Sequence, residues 1–283
     1  MERIRKALEL ARVAGDDLFG VANDPAPAPA APLPEGTGRR AGAVRVPVSP
    51  SRIVYTRTKV FSPGAEVLEA NRVMNPLSAD PAAAAFRMLR TQVLQRMNDH
   101  GWRSLAIFSP TTRDGKTTTA INLAMSLASD QQHTALLVDF DFRRPSLAAR
   151  LGLAPEAGAD DVLTGVAQVE DCLYHPESFD RLVILPARGV LPRSSEVLAG
   201  PASRALVAEL RERYPERFIV FDLPPVLTAD DALAFAPLVD CGLVVAAEGR
   251  TRRNDLVRTV ELLRKTPLVG TVLNCASDSL GTY

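Results

Sequence analysis

The chain has few cysteines, few histidines, few aromatic residues and no surplus of either charge. Its three cysteines, Cys172, Cys241 and Cys275, are far apart and never form a C-x-x-C pair. An odd, scattered set argues against a disulfide framework and a zinc site, and suits a reducing cytoplasm. His100, His133 and His175 show no metal-ligand spacing either. Lys and Arg number 33 and Asp and Glu 33, so the formal charge cancels. Proteins that coat nucleic acid carry a basic excess, so no nucleic-acid partner is expected. No apolar run approaches the roughly 18–20 residues that cross a bilayer. The opening MERIRKALELARVAGDD mixes charges and lacks the apolar stretch of a secretory signal. What remains, 46% hydrophobic and 23% charged, is ordinary for a soluble globular protein.

The chain divides by composition. Residues 1–20 hold an amphipathic helix over 2–13, with Ile4, Ala7, Leu8 and Ala11 on one face. Residues 21–50 turn to Pro, Ala and Gly, which cannot bury enough apolar surface to offset ordering, and so predict a disordered linker. Residues 51–80 read as an extended arm with a short strand at Ile53–Thr56. From Pro81 to about 278 lies one domain, followed by a short tail, 279–283, with a single tyrosine. That domain opens with a helix in which Phe86, Leu89, Val93, Leu94 and Met97 recur at helical spacing. Apolar strands over 105–108, 135–138, 182–185, 218–221, 243–246 and 269–273 then alternate with helices over 117–129, 203–213 and 255–264. Continuous apolar strands alternating with helices predict an α/β domain with a parallel sheet covered on both faces.

The first of these strands runs into Ser109-Pro-Thr-Thr-Arg-Asp-Gly115-Lys116-Thr117, and a helix follows. In such a context backbone N–H groups and the helix N-terminus face a phosphate, Lys116 neutralises its oxygens and the Thr117 hydroxyl holds Mg²⁺. Pro110 stands where the usual phosphate-loop pattern G-x-x-x-x-G-K-[ST] has its first glycine. Two further strands end in carboxylates: Leu136–Val138 leads into Asp139-Phe-Asp141-Phe-Arg143, and Ile219–Phe221 into Asp222-Leu-Pro-Pro. Ligands of open α/β sheets bind at the carboxyl ends of strands. Lys116, Thr117, Asp139, Asp141 and Asp222 are therefore expected to converge on one Mg-nucleotide. Lys116→Met is expected to abolish nucleotide binding or turnover with the fold intact. Trp102 is expected to pack, Asp230 and Asp231 to cap a helix, and Arg250, Arg252 and Arg253 to form a solvated surface.

These motifs resemble those of the bacterial tyrosine kinases (BY-kinases) of capsule and exopolysaccharide assembly, within the MinD/ParA-like P-loop ATPases. Three aliphatics followed by D-x-D-x-R match at 136–143, and the Walker B pattern of three apolar residues and D-x-P-P at 219–225. FRMLRTQVL (86–94), ILPARG (184–189), SSEVLAG (194–200) and GTVLN (270–274) resemble further stretches of the domain, and IVYTRTKV and MERIRKALELAR the leader of its stand-alone cytoplasmic members. The resemblance implies a protein-tyrosine autokinase using ATP and Mg²⁺. Its catalytic residues would be Lys116, Asp139, Asp141 and Asp222, with Thr117, Asp141 and Asp222 at the metal. Thr112, Arg113, Asp114, Gly115, Lys116, Thr117, Thr118, Arg143 and Asn274 would contact the nucleotide, and Tyr283 would accept the phosphoryl group. The implied partners are a membrane polysaccharide copolymerase, a Wzz-like chain-length regulator, and further copies of the chain. That places the protein in the cytoplasm, held at the inner membrane through its partner. The family's oligomerisation pattern E-x-x-R-x-x-R falls on Ala84, Arg87 and Arg90. Its phosphate loop, typically P-G-E-G-K, has a glycine where this chain has Arg113, so the resemblance implies a left-handed backbone there, which costs a non-glycine residue about 1–2 kcal/mol. The alternative is a nucleotide switch without kinase activity.

Overall fold

The computed structural model describes residues 57–130, 132–213 and 216–276. The expected helix over 2–13, the linker, the strand at 53–56 and Tyr283 lie outside the described residues. Each apolar run expected as a strand is one. β1 (Lys59–Phe61), β2 (Ser104–Phe108), β3 (Thr134–Asp139), β4 (Tyr174–Pro176), β5 (Leu182–Leu185), β6 (Arg217–Asp222), β7 (Cys241–Ala247) and β8 (Leu268–Asn274) form one sheet in the order β1-β4-β5-β3-β6-β2-β7-β8. From β5 to β8 neighbouring strands are parallel, whereas β4 meets β5 antiparallel and β1 runs parallel to β4.

The central strands are apolar on both sides because both faces are covered. Side chains alternate across a strand. On β2, Leu105 and Ile107 enter one core and Ala106 and Phe108 the other. The first core is closed by α2 (Pro81–His100) and α3 (Lys116–Ala128), through Val93, Met97, Ile121 and Leu123. The second is closed by α5 (Ala159–Leu163), α6 (Ser194–Ala199), α7 (Pro201–Arg213) and α8 (Asp231–Phe235), through Leu163, Leu198, Leu206 and Phe235. Two short helices, α1 (Ala65–Ala70) and α4 (Leu147–Arg150), and the edge helix α9 (Arg253–Leu262) complete the α-helices of the described part. Trp102 packs against the first core and stacks on His100.

Asp80 starts α2 by accepting the Ala82 N–H at 2.7 Å, with Pro81 in the first turn. The two arginines of the oligomerisation pattern turn inward from this helix. Arg87 Nη1 donates to the carbonyls of Pro76 (2.8 Å) and Ser78 (2.9 Å), and Arg90 Nη1 to that of Ser126 (3.2 Å) and to Ser129 Oγ (3.0 Å). Residues 57–80, expected as an extended arm, join the domain instead. They supply the edge strand β1, and Asn122 of α3 ties them down by accepting the Met74 N–H and donating to the Arg72 carbonyl.

Candidate nucleotide site

The sheet order makes β3, β6 and β2 neighbours, so their carboxyl ends bring three motifs together. β2 delivers residues 109–115 and α3, β6 delivers Asp222, and β3 delivers Asp139 and Asp141. In the β3–β6 register Asp139 lies directly opposite Asp222. Lys116, first residue of α3, is buried, with Nζ 2.5 Å from Asp222 Oδ1 and 3.7 Å from Asp141 Oδ2.

The two carboxylates of the β3 motif differ in surroundings. Asp139 is fully buried, and its oxygens accept the N–H groups of Asp141 (3.1 Å), Ser146 (3.3 Å) and Leu147 (3.1 Å). Burial, and then the neighbouring Asp222 charge, raise its pKa to about 8. Asp141 is slightly less buried, its side chain 12% exposed. Burial raises its pKa too, against the opposing pull of Lys116. Asp222 Oδ2 is buried and has no hydrogen-bond partner among the described residues. A carboxylate oxygen left so is costly unless a cation or donor meets it. It lies beside the phosphate-loop lysine, and a hard, oxygen-seeking Mg²⁺ fits it. Among the described residues no three His, Cys, Asp or Glu side chains are grouped to hold a metal by themselves. Mg²⁺ bound with one or two carboxylates and substrate phosphates needs no such cage.

The phosphate loop has the shape its sequence demands. Arg113 has φ +67°, the left-handed backbone expected of it. Gly115 has φ +92°, and a Cβ there would stand 1.8 Å from Asn274 Nδ2, so both backbone and space require glycine. Asp114 is buried, and its carboxylate accepts the Thr111 N–H (2.7 Å), the Thr111 hydroxyl (3.0 Å) and the Thr251 hydroxyl (2.9 Å). At the site of the missing first glycine, the Pro110 carbonyl accepts the Leu227 N–H at 3.1 Å, which ties the loop to the segment after β6.

No protein-family model matches the chain. The succinoglycan biosynthesis transport protein ExoP of Rhizobium meliloti is 34% identical to it over 210 residues, 71% of this chain and 26% of that protein. Tyrosine-protein kinase YwqD of Bacillus subtilis is 28% identical over 191 residues, 67% of this chain and 79% of that one. The crystal structure of the VpsO kinase domain superposes with a TM-score of 0.62 at 32% identity, over 70% of this chain and 96% of that domain. The chain belongs to the bacterial tyrosine kinase family. It spans about a quarter of ExoP but most of YwqD. The septum site-determining protein MinD of Pyrococcus horikoshii, solved with Mg-ADP, superposes over 60% of this chain and 69% of that one, with a TM-score of 0.50 at 26% identity.

The other residues expected at the nucleotide have protein partners of their own around this rim. Arg143 turns from the β3 motif towards α8, where Nε donates to Asp231 Oδ2 at 2.7 Å and Nη2 lies 3.4 Å from Asp230 Oδ1. Asn274, at the end of β8, donates through Nδ2 to the Asp114 carbonyl at 3.0 Å. Thr117 is half-buried in the first turn of α3, Thr112 is exposed on the loop, and the Thr118 hydroxyl accepts from Arg150 Nη1 at 3.2 Å.

Three residues that sequence reasoning left out or misread also belong to this rim. Asp231, expected as a helix cap, lies within α8 at 0% exposure; it accepts from Arg143 and from the Ser194 hydroxyl, and Asp230 makes no side-chain cap. Arg250, expected as solvated surface, is exposed but donates from Nη1 to the Arg113 carbonyl at 2.6 Å. Thr251 holds Asp114 and carried no signal in the sequence.

Proposed function

We propose that the chain is an ATP-dependent protein-tyrosine kinase that phosphorylates itself or a neighbour and regulates the polymerisation and export of exopolysaccharide or capsule. The observation that carries this reading is the meeting of Lys116, Asp141 and Asp222 beside a phosphate loop. Lys116 and the loop N–H groups would bind the β- and γ-phosphates, exchanging part of the lysine's contact with Asp222 for contact with phosphate. Thr117, Asp141 and Asp222 would hold Mg²⁺, which when bound neutralises the charge developing on the transferred group. Asp141 would accept the proton of the incoming tyrosine hydroxyl, since it stands beside Lys116 and burial raises its pKa. Asp139, with its oxygens committed to backbone N–H groups, would hold the motif in shape. Thr112, Arg113, Asp114, Gly115 and Thr118 would line the phosphates.

Tyr174 is a poor acceptor. It is buried, and its hydroxyl is bonded to the Glu156 N–H and the Ala157 carbonyl. Tyr283 is the acceptor we propose. The partner is a membrane polysaccharide copolymerase of the Wzz-like type, which would hold the protein at the cytoplasmic side of the inner membrane. Among the described residues no helix is long and apolar enough to cross a membrane. Self-association for transfer between copies would use a surface other than Arg87 and Arg90, whose guanidinium groups serve the fold. Incubating the purified protein with Mg-ATP and probing for phosphotyrosine tests the reading, with Tyr283→Phe and Lys116→Met as controls. ATP hydrolysis with no phosphotyrosine, with or without the partner, would favour a nucleotide switch instead.

A further inference from the structure

Building on that nucleotide site, we propose that Arg250 is a positioning residue: it holds the Arg113 carbonyl outward, and so aims the N–H groups of a glycine-poor phosphate loop at the phosphates. In a trans peptide the carbonyl of one residue and the N–H of the next point in opposite directions. Arg250 Nη1 fixes the Arg113 carbonyl at 2.6 Å, and Asn274 Nδ2 fixes the Asp114 carbonyl at 3.0 Å. The N–H groups of Asp114 and Gly115 are thereby turned away from β8 and from the turn after β7. Neither has a hydrogen-bond acceptor among the described residues. Two adjacent N–H groups turned away from those carbonyls, ahead of a helix N-terminus, make a concavity for an anion.

A glycine at position 113 would take up φ +67° without help, because it has no Cβ to clash. Arginine does not, and this chain has Arg113 there. The donor that stabilises the strained peptide comes from 137 residues further along the chain. Thr251, the next residue, grips the Asp114 carboxylate, so the turn after β7 holds the loop at two successive residues. Arg250 acts here through the backbone and needs no contact with the nucleotide. Arg113 and Arg250 form a coupled pair in which the second residue compensates for the first.

A double-mutant cycle read by nucleotide affinity tests this. The probe is a fluorescent N-methylanthraniloyl ATP with Mg²⁺, titrated into the full chain, with thermal melting as the control on folding. Arg250→Ala is expected to weaken binding about tenfold, the size of one charge-assisted hydrogen bond. Arg250→Lys, which keeps a cationic donor, should recover most of the loss. Arg113→Gly alone should bind at least as tightly as the natural chain. In the Arg113→Gly background the effect of Arg250→Ala should shrink to about twofold, because the strain it offsets is gone. Equal losses in both backgrounds would mean that Arg250 touches the nucleotide or acts on the fold, and would overturn the proposal. So would an Arg250→Ala protein that binds as the natural chain does. A natural chain that fails to bind the probe would sink the nucleotide-site reading itself, a distinguishable result.

Discussion

Lys116 Nζ lies 2.5 Å from Asp222 Oδ1, so the cation of the phosphate loop and the carboxylate at the end of β6 form a buried ion pair. The lysine has two tasks, holding phosphate and neutralising carboxylates in a place where bare charge is expensive. Lys116→Met should therefore do more than abolish nucleotide binding. Removing one member of a buried pair typically costs about 3–5 kcal/mol. Urea unfolding should show a loss of that order, and Lys116→Met/Asp222→Asn should regain part of it. A single variant as stable as the natural protein would contradict the pairing. The expectation of an intact fold treats Lys116 only as the phosphate's charge partner in a preformed loop, and leaves out this second task.

Asp139 makes stability depend on pH. Its pKa in the folded protein is raised to about 8, by burial first and by Asp222 second. A carboxyl raised in this way keeps its proton in the folded state where the unfolded chain has lost it. Stability then falls as pH rises from about 4 towards 8, and levels off above. Asp139→Asn, which cannot ionise, should flatten that slope. Urea midpoints at pH 5, 6.5 and 8 measure it, and parallel slopes for the two proteins would refute the assignment.

Gly115→Ala should disable the loop at a single methyl group. The new Cβ would stand 1.8 Å from Asn274 Nδ2, and φ +92° is a backbone that alanine resists. Nucleotide affinity should fall by at least about tenfold, the ratio set by roughly 1.4 kcal/mol. Asn274→Ala would clear the space but not the backbone strain, so Gly115→Ala/Asn274→Ala should remain impaired. Full recovery in that double variant would assign the whole effect to the collision.

Asp231→Ala should destabilise the protein although Asp231 lies outside the motifs. It leaves the Ser194 hydroxyl and the Arg143 guanidinium without their shared acceptor. Hydrogen bonds to a charged group contribute about 1.5–3 kcal/mol, which a thermal melt resolves readily. Asp231→Asn keeps an acceptor and should lose less. An unchanged melting midpoint for Asp231→Ala would dismiss this carboxylate as a support of the site.

The central strands were legible because burial on both faces leaves nothing but apolar residues along 105–108 or 218–221. The outer strands were not. Lys59–Phe61 and Tyr174–Pro176 are three residues each, mix charge, ring and proline, and owe their strand form to partners far along the chain, each other and, for the second, β5. The motif residues were legible because each follows a strand, and strand ends meet at one rim. What brings Asp231 into the interior is Arg143, 88 residues earlier, and what gives Arg250 its partner is a loop 137 residues away. No local pattern encodes either distance. Arg113 shows the reverse case: the backbone strain follows from one residue type in one loop, while the group that relieves it does not.

Helix α3 bears on how news of the nucleotide leaves the site. Eleven of its thirteen residues are buried, between the sheet and α2, with Asn122 bonded to the chain at Arg72 and Met74 and Arg90 bonded to the far end. A rod enclosed on every side cannot tilt without opening a close-packed core. It serves as an anvil, and the signal is expected to travel by the turns after β3, β6 and β7, which carry Asp141, the segment after Asp222 and Arg250. On adding Mg-ATP, amide exchange should slow at those turns while α3 stays equally protected. A partner that distinguishes the loaded protein from the empty one would then have to touch a turn, and one docked only against α2 would be blind to the nucleotide.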